Sequence, residues 1–461
     1  MRAIPSLKIS ISGVRGVVGE SLTPILLARF AQAFGTYLGG GRVVIGRDPR
    51  TSGEMVRQAV AAGLLSSGCR IVDIGVCPTP TLQLIVRTLG ARGGIAITAS
   101  HNPPEWNALK FVGTDGLFLS ADRGRELLDI YHQGDYTKVR GARMRPIEER
   151  RDACDAHVAA ILNALGPVEA RRPTRVALDA CNGAGSIITP RLLHALGVEA
   201  IVINANPDGT FPRPAEPLPE NLTALRDAVR EHHANVGFAQ DMDADRLAIV
   251  SEQGVPIGEE RTLVLAAEYV LSKRPGPVVT NISTTHALEA VAARYGIPVF
   301  RTKVGEANVA QAMRRYHAVI GGEGNGGVIY PTINFARDSL VGIALVLHLL
   351  AETDQTISQL TAALPAWEMV KYRIACPSHR ITEVLRRVRE EYARFDVNLL
   401  DGVKVTMPEG WFLLRGSNTE PVLRLVAEAS TDADATRIGD AVLAQVESLI
   451  RVDRKSAVGS P

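Results

Sequence analysis

Apolar and polar positions along this chain follow a rhythm of strand, then helix. Short β-branched runs at 42–46, 70–74 and 94–98 are separated by stretches of helical spacing at 51–65 and 79–89. Pro80 suits the first turn of the second helix, where its missing N–H has no partner to lose. Gly, Asn and Asp occupy the joints. Such alternation predicts α/β units on a parallel or mixed sheet. The rhythm restarts twice. After a polar stretch at 134–151, a helix at 153–165 leads to strand 175–180, helix 186–196, strand 200–204, helix 222–232 and strand 236–239. From residue 260, a helix leads to strand 278–281, helix 285–295, strand 299–302, helix 307–316 and strand 317–320.

The C-terminal part departs from this plan. Alternation at 367–375, a charged helix at 381–395, strand-like runs at 403–407, 411–414 and 422–427, and a closing helix at 433–450 read as a smaller α+β unit. The pattern divides the chain into domains 1–150, 151–255, 256–366 and 367–452, with a polar tail, 453–461, expected to be disordered. The 461 residues agree with three or four domains at roughly 150 residues each.

Composition narrows the function classes. Apolar residues make up 46% and charged residues 22%, which excludes a disordered or fibrous chain. Lys plus Arg is 51 and Asp plus Glu is 49, so no global field exists to hold a nucleic-acid backbone or an anionic membrane. Five cysteines without a C-x-x-C spacing point to a reducing compartment rather than a disulfide framework. The N-terminus shows no signal-peptide pattern, and the longest apolar stretch, 341–351, is too short to span a bilayer. The expectation is a soluble cytoplasmic protein acting on a small molecule, with neither nucleic acid nor membrane as partner.

Four loops carry candidate chemistry. Thr98-Ala99-Ser100-His101-Asn102-Pro103 follows an apolar strand and leaves through two prolines, presenting the Ser100 hydroxyl at a strand's carboxyl end, where α/β sheets bind ligands. Lys110 lies in the next strand-like run, within reach if that run folds back as a hairpin. Asp241-Met242-Asp243-Ala244-Asp245-Arg246 crowds three carboxylates just past a strand, an arrangement that is costly without a hard cation. It resembles a calcium-binding loop only in part, because Arg246 replaces the required glycine and an apolar strand follows at once. Gly321 to Gly327 contains a formal G-x-G-x-x-G, but a strand and Pro331 follow it rather than the helix a dinucleotide site needs. Its Glu323 and Asn325 suit the vicinal hydroxyls of a sugar, presented by a mobile glycine loop. Finally, Arg415-Gly416-Ser417-Asn418-Thr419 joins a guanidinium, hydroxyls and backbone N–H groups, the donors a phosphate dianion needs. A nucleophile, a cation site, a polyol contact and a phosphate clamp, one per domain, describe phosphoryl transfer on a phosphosugar.

At these residues the sequence resembles the α-D-phosphohexomutase superfamily, which includes phosphoglucomutases, phosphomannomutases and phosphoglucosamine mutases. Smaller matches agree: Gly13-Val14-Arg15-Gly16, Gly46-Arg47-Asp48-Pro49-Arg50 and Asp179-Ala180-Cys181-Asn182-Gly183. The resemblance implies a heart-shaped molecule with a central cleft, built from three similar mixed-sheet α/β domains and a C-terminal α+β domain of TATA-binding-protein-like fold. It further implies that Ser100 carries a phosphoryl group and, with Asp241, Asp243 and Asp245, holds one Mg²⁺ per chain. Lys110 would serve as general acid or base beside His101, and Arg15 and Arg246 would contact the reactive phosphoryl group. Glu323 and Asn325 would hold sugar hydroxyls, Lys303 would lie on the substrate side, and Arg415, Ser417, Asn418 and Thr419 would grip the non-reacting phosphate. The implied reaction interconverts a hexose or hexosamine 6-phosphate and 1-phosphate through a sugar 1,6-bisphosphate, which also acts as activator, in a monomer or homodimer.

Departures bear on the substrate. Many bacterial relatives end the sugar loop in Ser-Gly-His, where this chain has Asn325-Gly326-Gly327. That form resembles the archaeal-type phosphoglucosamine mutases, the first choice here. Asn418 resembles the phosphomannomutase/phosphoglucomutase members, the alternative. Arg337-Asp338-Ser339 stands where Gly-Asp-Gly is frequent. An alternative of another class is a Mg²⁺-dependent phosphosugar phosphatase, in which water intercepts the phosphoserine.

Overall fold

The computed structural model describes residues 7–10, 13–171, 174–417 and 421–456. Three of its sheets repeat one plan. In the first, Gly41–Arg47 lies between two parallel neighbours, Cys69–Val76 and Gly93–Ile97, and Gly93–Ile97 turns back into antiparallel Trp106–Val112. In the second, Arg175–Asp179 lies between Glu199–Ile203 and Val236–Gln240, and the latter turns back into Leu247–Ser251. In the third, Val278–Asn281 lies between Val299–Thr302 and Ile320–Glu323, and the latter turns back into Gly327–Ile329. The first sheet gains extra edge strands, Gly13–Val17 and Lys8–Ser10 on one side and Glu148–Glu149 on the other. The reversal from a parallel strand to its antiparallel partner is thus one topological place used three times. It holds residues 98–105, 241–246 and 324–326, three of the four loops singled out from sequence.

The parallel strands before the first two reversals, Gly93–Ile97 and Val236–Gln240, are buried along their whole length. Helices cover both faces, as parallel sheets require. Local chemistry fixes their starts. Thr23 caps Pro24–Tyr37 by accepting from Leu26 N, Pro80 sits in the first turn of Thr79–Thr88, and Thr356 with Gln359 forms a reciprocal capping box. Helix Ser339–Thr353 begins under Asp338, whose Oδ1 accepts from Leu340 N and Val341 N. Its apolar run is buried against helix Glu260–Lys273. No helix among the described residues is long and apolar enough to cross a membrane.

The fourth sheet is antiparallel, in the order Glu368–Ala375, Val422–Ala429, Gly410–Gly416, Val403–Met407, Asp396–Asn398, and carries helices Ser378–Glu391 and Asp432–Ser456. The closing helix is Asp432–Ser456, and residues 457–461, the rest of the tail expected to be disordered, lie outside those described.

One local expectation is corrected. The sequence pattern ends a strand at 320 and assigns 321–327 to a mobile loop, but pairing continues through Glu323. Close packing explains those glycines. A Cβ on Gly321 would lie 2.4 Å from Val279 O, and one on Gly322, at φ +152°, would lie 2.1 Å from Gly327 O.

The three repeated units share one apolar core that runs from Val44 and Val86 through Ile161 and Leu178 to Leu345. Inside it lies a polar hub. His157 Nε2 donates to Asp338 Oδ2 at 2.8 Å and Nδ1 hydrogen-bonds Thr81 Oγ1 at 2.8 Å. All three side chains are buried, one from each unit. Replacing His157 with Ala leaves two buried polar groups facing a cavity, and a loss of about 2–4 kcal/mol is expected. Chemical denaturation measures it, and an unchanged midpoint would show that the hub does not hold the units together.

Candidate active site

Ser100 follows strand Gly93–Ile97 and adopts a left-handed backbone, φ 50°, a conformation that strains any residue with a Cβ. A buried arginine holds it there. Arg50 donates to four carbonyls of the same loop: Ser100 O at 2.6 Å, Asn102 O at 2.7 Å, Pro103 O at 2.6 Å and Trp106 O at 3.0 Å. Asp48 holds Arg50 in turn at 3.0 Å and accepts from Thr98 Oγ1, which itself accepts from Ser100 N. The Ser100 hydroxyl is therefore presented by a fixed turn.

That hydroxyl points across the unit boundary. Ser100 Oγ donates to Asp241 Oδ2 at 2.8 Å. Asp241, Asp243 and Asp245 are fully buried, and each offers an oxygen within 4.8 Å of the others. Their remaining contacts divide the oxygens. Asp241 Oδ1 accepts from Asp245 N and Arg246 N. Asp243 Oδ2 accepts from Thr79 Oγ1 and Lys110 Nζ, both at 2.7 Å. Asp245 Oδ2 accepts from Arg337 Nη2 at 2.5 Å. Asp243 Oδ1 and Asp245 Oδ1 are buried and have no hydrogen-bond partner. Burial, then the Asp245 and Asp243 charges, push the Asp241 carboxyl well above the usual carboxylate range. Two bare anionic oxygens, a third oxygen on a serine hydroxyl and strong mutual repulsion are the donor set of a hard divalent cation, and these residues fit one.

The flanking cations are ordered by the same geometry. Lys110 pairs with Ala96 in the sheet register, so the expected hairpin return brings its ammonium to Asp243 at 2.7 Å and to Asp245 at 4.0 Å. Burial draws its pKa down, but Asp243 and Asp245 outweigh burial and hold it above the ordinary lysine value. The His101 ring is pushed well below its usual value by Arg246, then by burial, Arg15 and Lys110, and its Nδ1 is buried without a hydrogen-bond partner. Arg15, from strand Gly13–Val17, donates to Asn102 Oδ1 at 2.8 Å. Arg246 donates to Glu216 at 2.7 Å.

Glu323 closes its strand rather than riding a loop. Oε1 accepts from Asn281 Nδ2 at 2.9 Å and Gly305 N at 2.8 Å, and Oε2 accepts from Arg337 Nη1 at 3.1 Å. Asn325 Oδ1 accepts from Gly327 N within its own turn. Lys303 is exposed in the segment leading to helix Glu306–Tyr316. In the fourth unit, Arg415 Nε lies 3.2 Å from Asp401 Oδ2, an ion pair without hydrogen-bond alignment, and the same oxygen accepts from Val304 N at 3.0 Å. Ser417 N donates to Val422 O. Asn418 and Thr419 lie outside the described residues.

Comparisons with known proteins bear directly on this arrangement. Family models described as phosphoglucomutase/phosphomannomutase match residues 7–138 (alpha/beta/alpha domain I), 155–254 (domain II), 259–367 (domain III) and 373–445 (C-terminal domain). The chain belongs to the phosphoglucomutase/phosphomannomutase family. A probable phosphoglucosamine mutase of Methanopyrus kandleri is 40% identical over 435 residues, covering 93% of this chain and 95% of that one. A phosphoglucomutase/phosphomannomutase of Thermococcus kodakarensis is 37% identical over 434 residues, covering 92% and 94%. Among solved structures, a phosphoglucomutase/phosphomannomutase family protein of Burkholderia thailandensis superposes with a TM-score of 0.85 at 28% identity, covering 98% of both chains.

For this mutase-family fold, sequence reasoning missed several residues that organise the site. Arg50 lies inside the stretch 46–50, whose match to the family is the only signal the sequence offers for it, because its burial is set by packing. Arg337 was noted only as a departure beside Asp338. Thr79 and Asp401 carry no local signature, because their contacts come from residues far away in the chain. Arg50→Lys keeps the charge but loses the fork that holds four carbonyls. Turnover is expected to fall on the order of a hundredfold through misplacement of Ser100. Steady-state kinetics with amide exchange over residues 99–106 checks this, and unchanged turnover would remove Arg50 from the account.

Proposed function

We propose that this phosphohexomutase interconverts the 6- and 1-phosphates of a hexosamine, glucosamine phosphate first, through phospho-Ser100 and a sugar 1,6-bisphosphate. The observation that carries the reading is the 2.8 Å contact between Ser100 Oγ and Asp241, beside two triad oxygens without partners. A hydroxyl and a cation cradle from separate sheets meet where a phosphoryl group can touch both.

In the first half-reaction the Ser100 O–P bond breaks and a bond forms between phosphorus and the free sugar hydroxyl. Lys110, held as an ammonium by Asp243, returns a proton to the departing Ser100 Oγ. His101, kept neutral by the surrounding cations, accepts the hydroxyl proton. Asp241, Asp243, Asp245 and the phosphorylated Ser100 would hold Mg²⁺, which supplies charge neutralisation for the transferred group. Arg15 and Arg246 flank the same place. The bisphosphate then reorients, and its other phosphate returns to Ser100. Glu323 and Asn325 take sugar hydroxyls, Lys303 serves on the substrate side, and Arg415, Ser417, Asn418 and Thr419 grip the idle phosphate. Ser100 is only 6% exposed, so bulk water has little access to its hydroxyl.

The substrate choice is supported by the Glu323-Gly324-Asn325-Gly326-Gly327 form and by the Methanopyrus kandleri relative, whose name specifies glucosamine. The Thermococcus kodakarensis relative favours glucose and mannose phosphates as the second reading. Parallel assays on the three sugar phosphates with a bisphosphate activator decide between them; a preference for glucose or mannose phosphate would overturn the first choice.

Ser100→Ala is expected to abolish turnover without unfolding the chain. Chelation should abolish wild-type turnover, and added Mg²⁺ should restore it. Wild-type rates in Ser100→Ala, or full activity in excess chelator, would refute the mechanism. Arg415→Ala should raise KM on the order of tenfold or more, the loss of a charge-assisted contact to phosphate. An unchanged KM would remove Arg415 from phosphate binding.

A further inference from the structure

Arg337 joins three carboxylates from separate elements. It lies just before the Asp338 cap, its side chain is 11% exposed, and its three donor nitrogens reach three carboxylates. Nη2 donates to Asp245 Oδ2 at 2.5 Å, Nη1 to Glu323 Oε2 at 3.1 Å and Nε to Glu306 Oε2 at 3.1 Å. These acceptors come from the reversal of the second sheet, the strand end of the third and the first turn of helix Glu306–Tyr316. Glu306 is tied onward to Gln83 of the first unit at 3.1 Å. One planar guanidinium therefore joins the acidic triad to the sugar-side carboxylate, a task whose geometry an ammonium cannot reproduce.

We propose that Arg337 is a positioning residue for sugar recognition, fixing the Glu323 carboxylate as an acceptor for a sugar hydroxyl by anchoring it to the buried carboxylates of Asp245 and Glu306; this rests on the mutase reading above. Two observations support it. Both Glu323 oxygens are already held, Oε1 by Asn281 and Gly305 and Oε2 by Arg337, so the group cannot rotate and the acceptor position left on Oε2 faces a fixed direction. The backbone of the sugar-side turn also rests on the arginine stem: a Cβ added to Gly327 would lie 2.3 Å from Arg337 Cδ. Arg337 thus sets both the orientation of the carboxylate and the path of the turn that carries Asn325.

The close approach of Gly327 supplies a test that leaves the charge in place. Gly327→Ala displaces the Arg337 stem, whereas Arg337→Ala removes it. KM and kcat for glucosamine 6-phosphate, together with calorimetric affinity for that ligand in metal-free protein, are measured for Arg337→Ala, Arg337→Lys, Gly327→Ala and the double variant Arg337→Ala/Gly327→Ala. Arg337→Ala is expected to raise KM and the dissociation constant on the order of tenfold or more, with a smaller loss in kcat. Arg337→Lys should recover only part of this, because one ammonium cannot serve three carboxylates. Gly327→Ala should weaken binding in the wild-type background and add little in the Arg337→Ala background, a strong non-additivity. Additive effects, full rescue by lysine, or a lowered melting temperature with unchanged KM would each overturn the proposal. A wild-type protein inactive on every sugar phosphate would instead remove the mutase reading, so the two failures are distinguishable.

Discussion

Three carboxylates share one dry corner of this molecule, and that is the constraint around which the rest is arranged. Asp241, Asp243 and Asp245 sit at alternate positions of a single turn, so their charges cannot be separated by rearranging the backbone. The protein answers with donors brought from every side: Ser100 and Lys110 from the first unit, Thr79 from a helix start, Arg337 from the third. Two oxygens are still left without a hydrogen-bond partner. A corner balanced in this way is stable only as part of the whole assembly, because each neutralising group belongs to a different segment.

The fold makes that convergence possible by repetition. In each α/β unit a parallel strand reverses into an antiparallel partner, and the reversal exposes a short turn at the strand's carboxyl end. One copy presents a strained serine, the second the acidic triad, the third the turn that carries Asn325. Packing the three units around a common core and the Thr81–His157–Asp338 hub aims the reversals at one another. The fourth unit contributes through Asp401, which touches both Arg415 and the backbone of Val304 and so links the Arg415 strand end to the segment carrying Lys303.

Much of this is legible in the amino-acid order. The apolar runs of the buried parallel strands, the proline at a helix start and the two restarts of the pattern announce the architecture. The serine and aspartate turns carry local signatures dense enough to name their chemistry. Two kinds of information are not local. Glycines at 321 and 322 look like flexibility and prove to be close packing against Val279 and Gly327, a distinction set by neighbours across the sheet. Arg50, Arg337 and Asp401 look like ordinary surface charges, yet each is defined by partners distant in the chain. Their burial follows from the packing of units, which periodicity does not report.

The claim at the centre is that a phosphoryl group on Ser100 and a divalent cation on the triad occupy adjoining positions. Phosphorus NMR of the phosphorylated protein, titrated with paramagnetic Mn²⁺, measures that adjacency directly. The phosphoserine signal should broaden away as the first equivalent binds, and broadening should fail when Asp243 and Asp245 are replaced by Asn. A phosphoserine signal that stays sharp while Mn²⁺ occupies the triad would place the two apart and contradict the account.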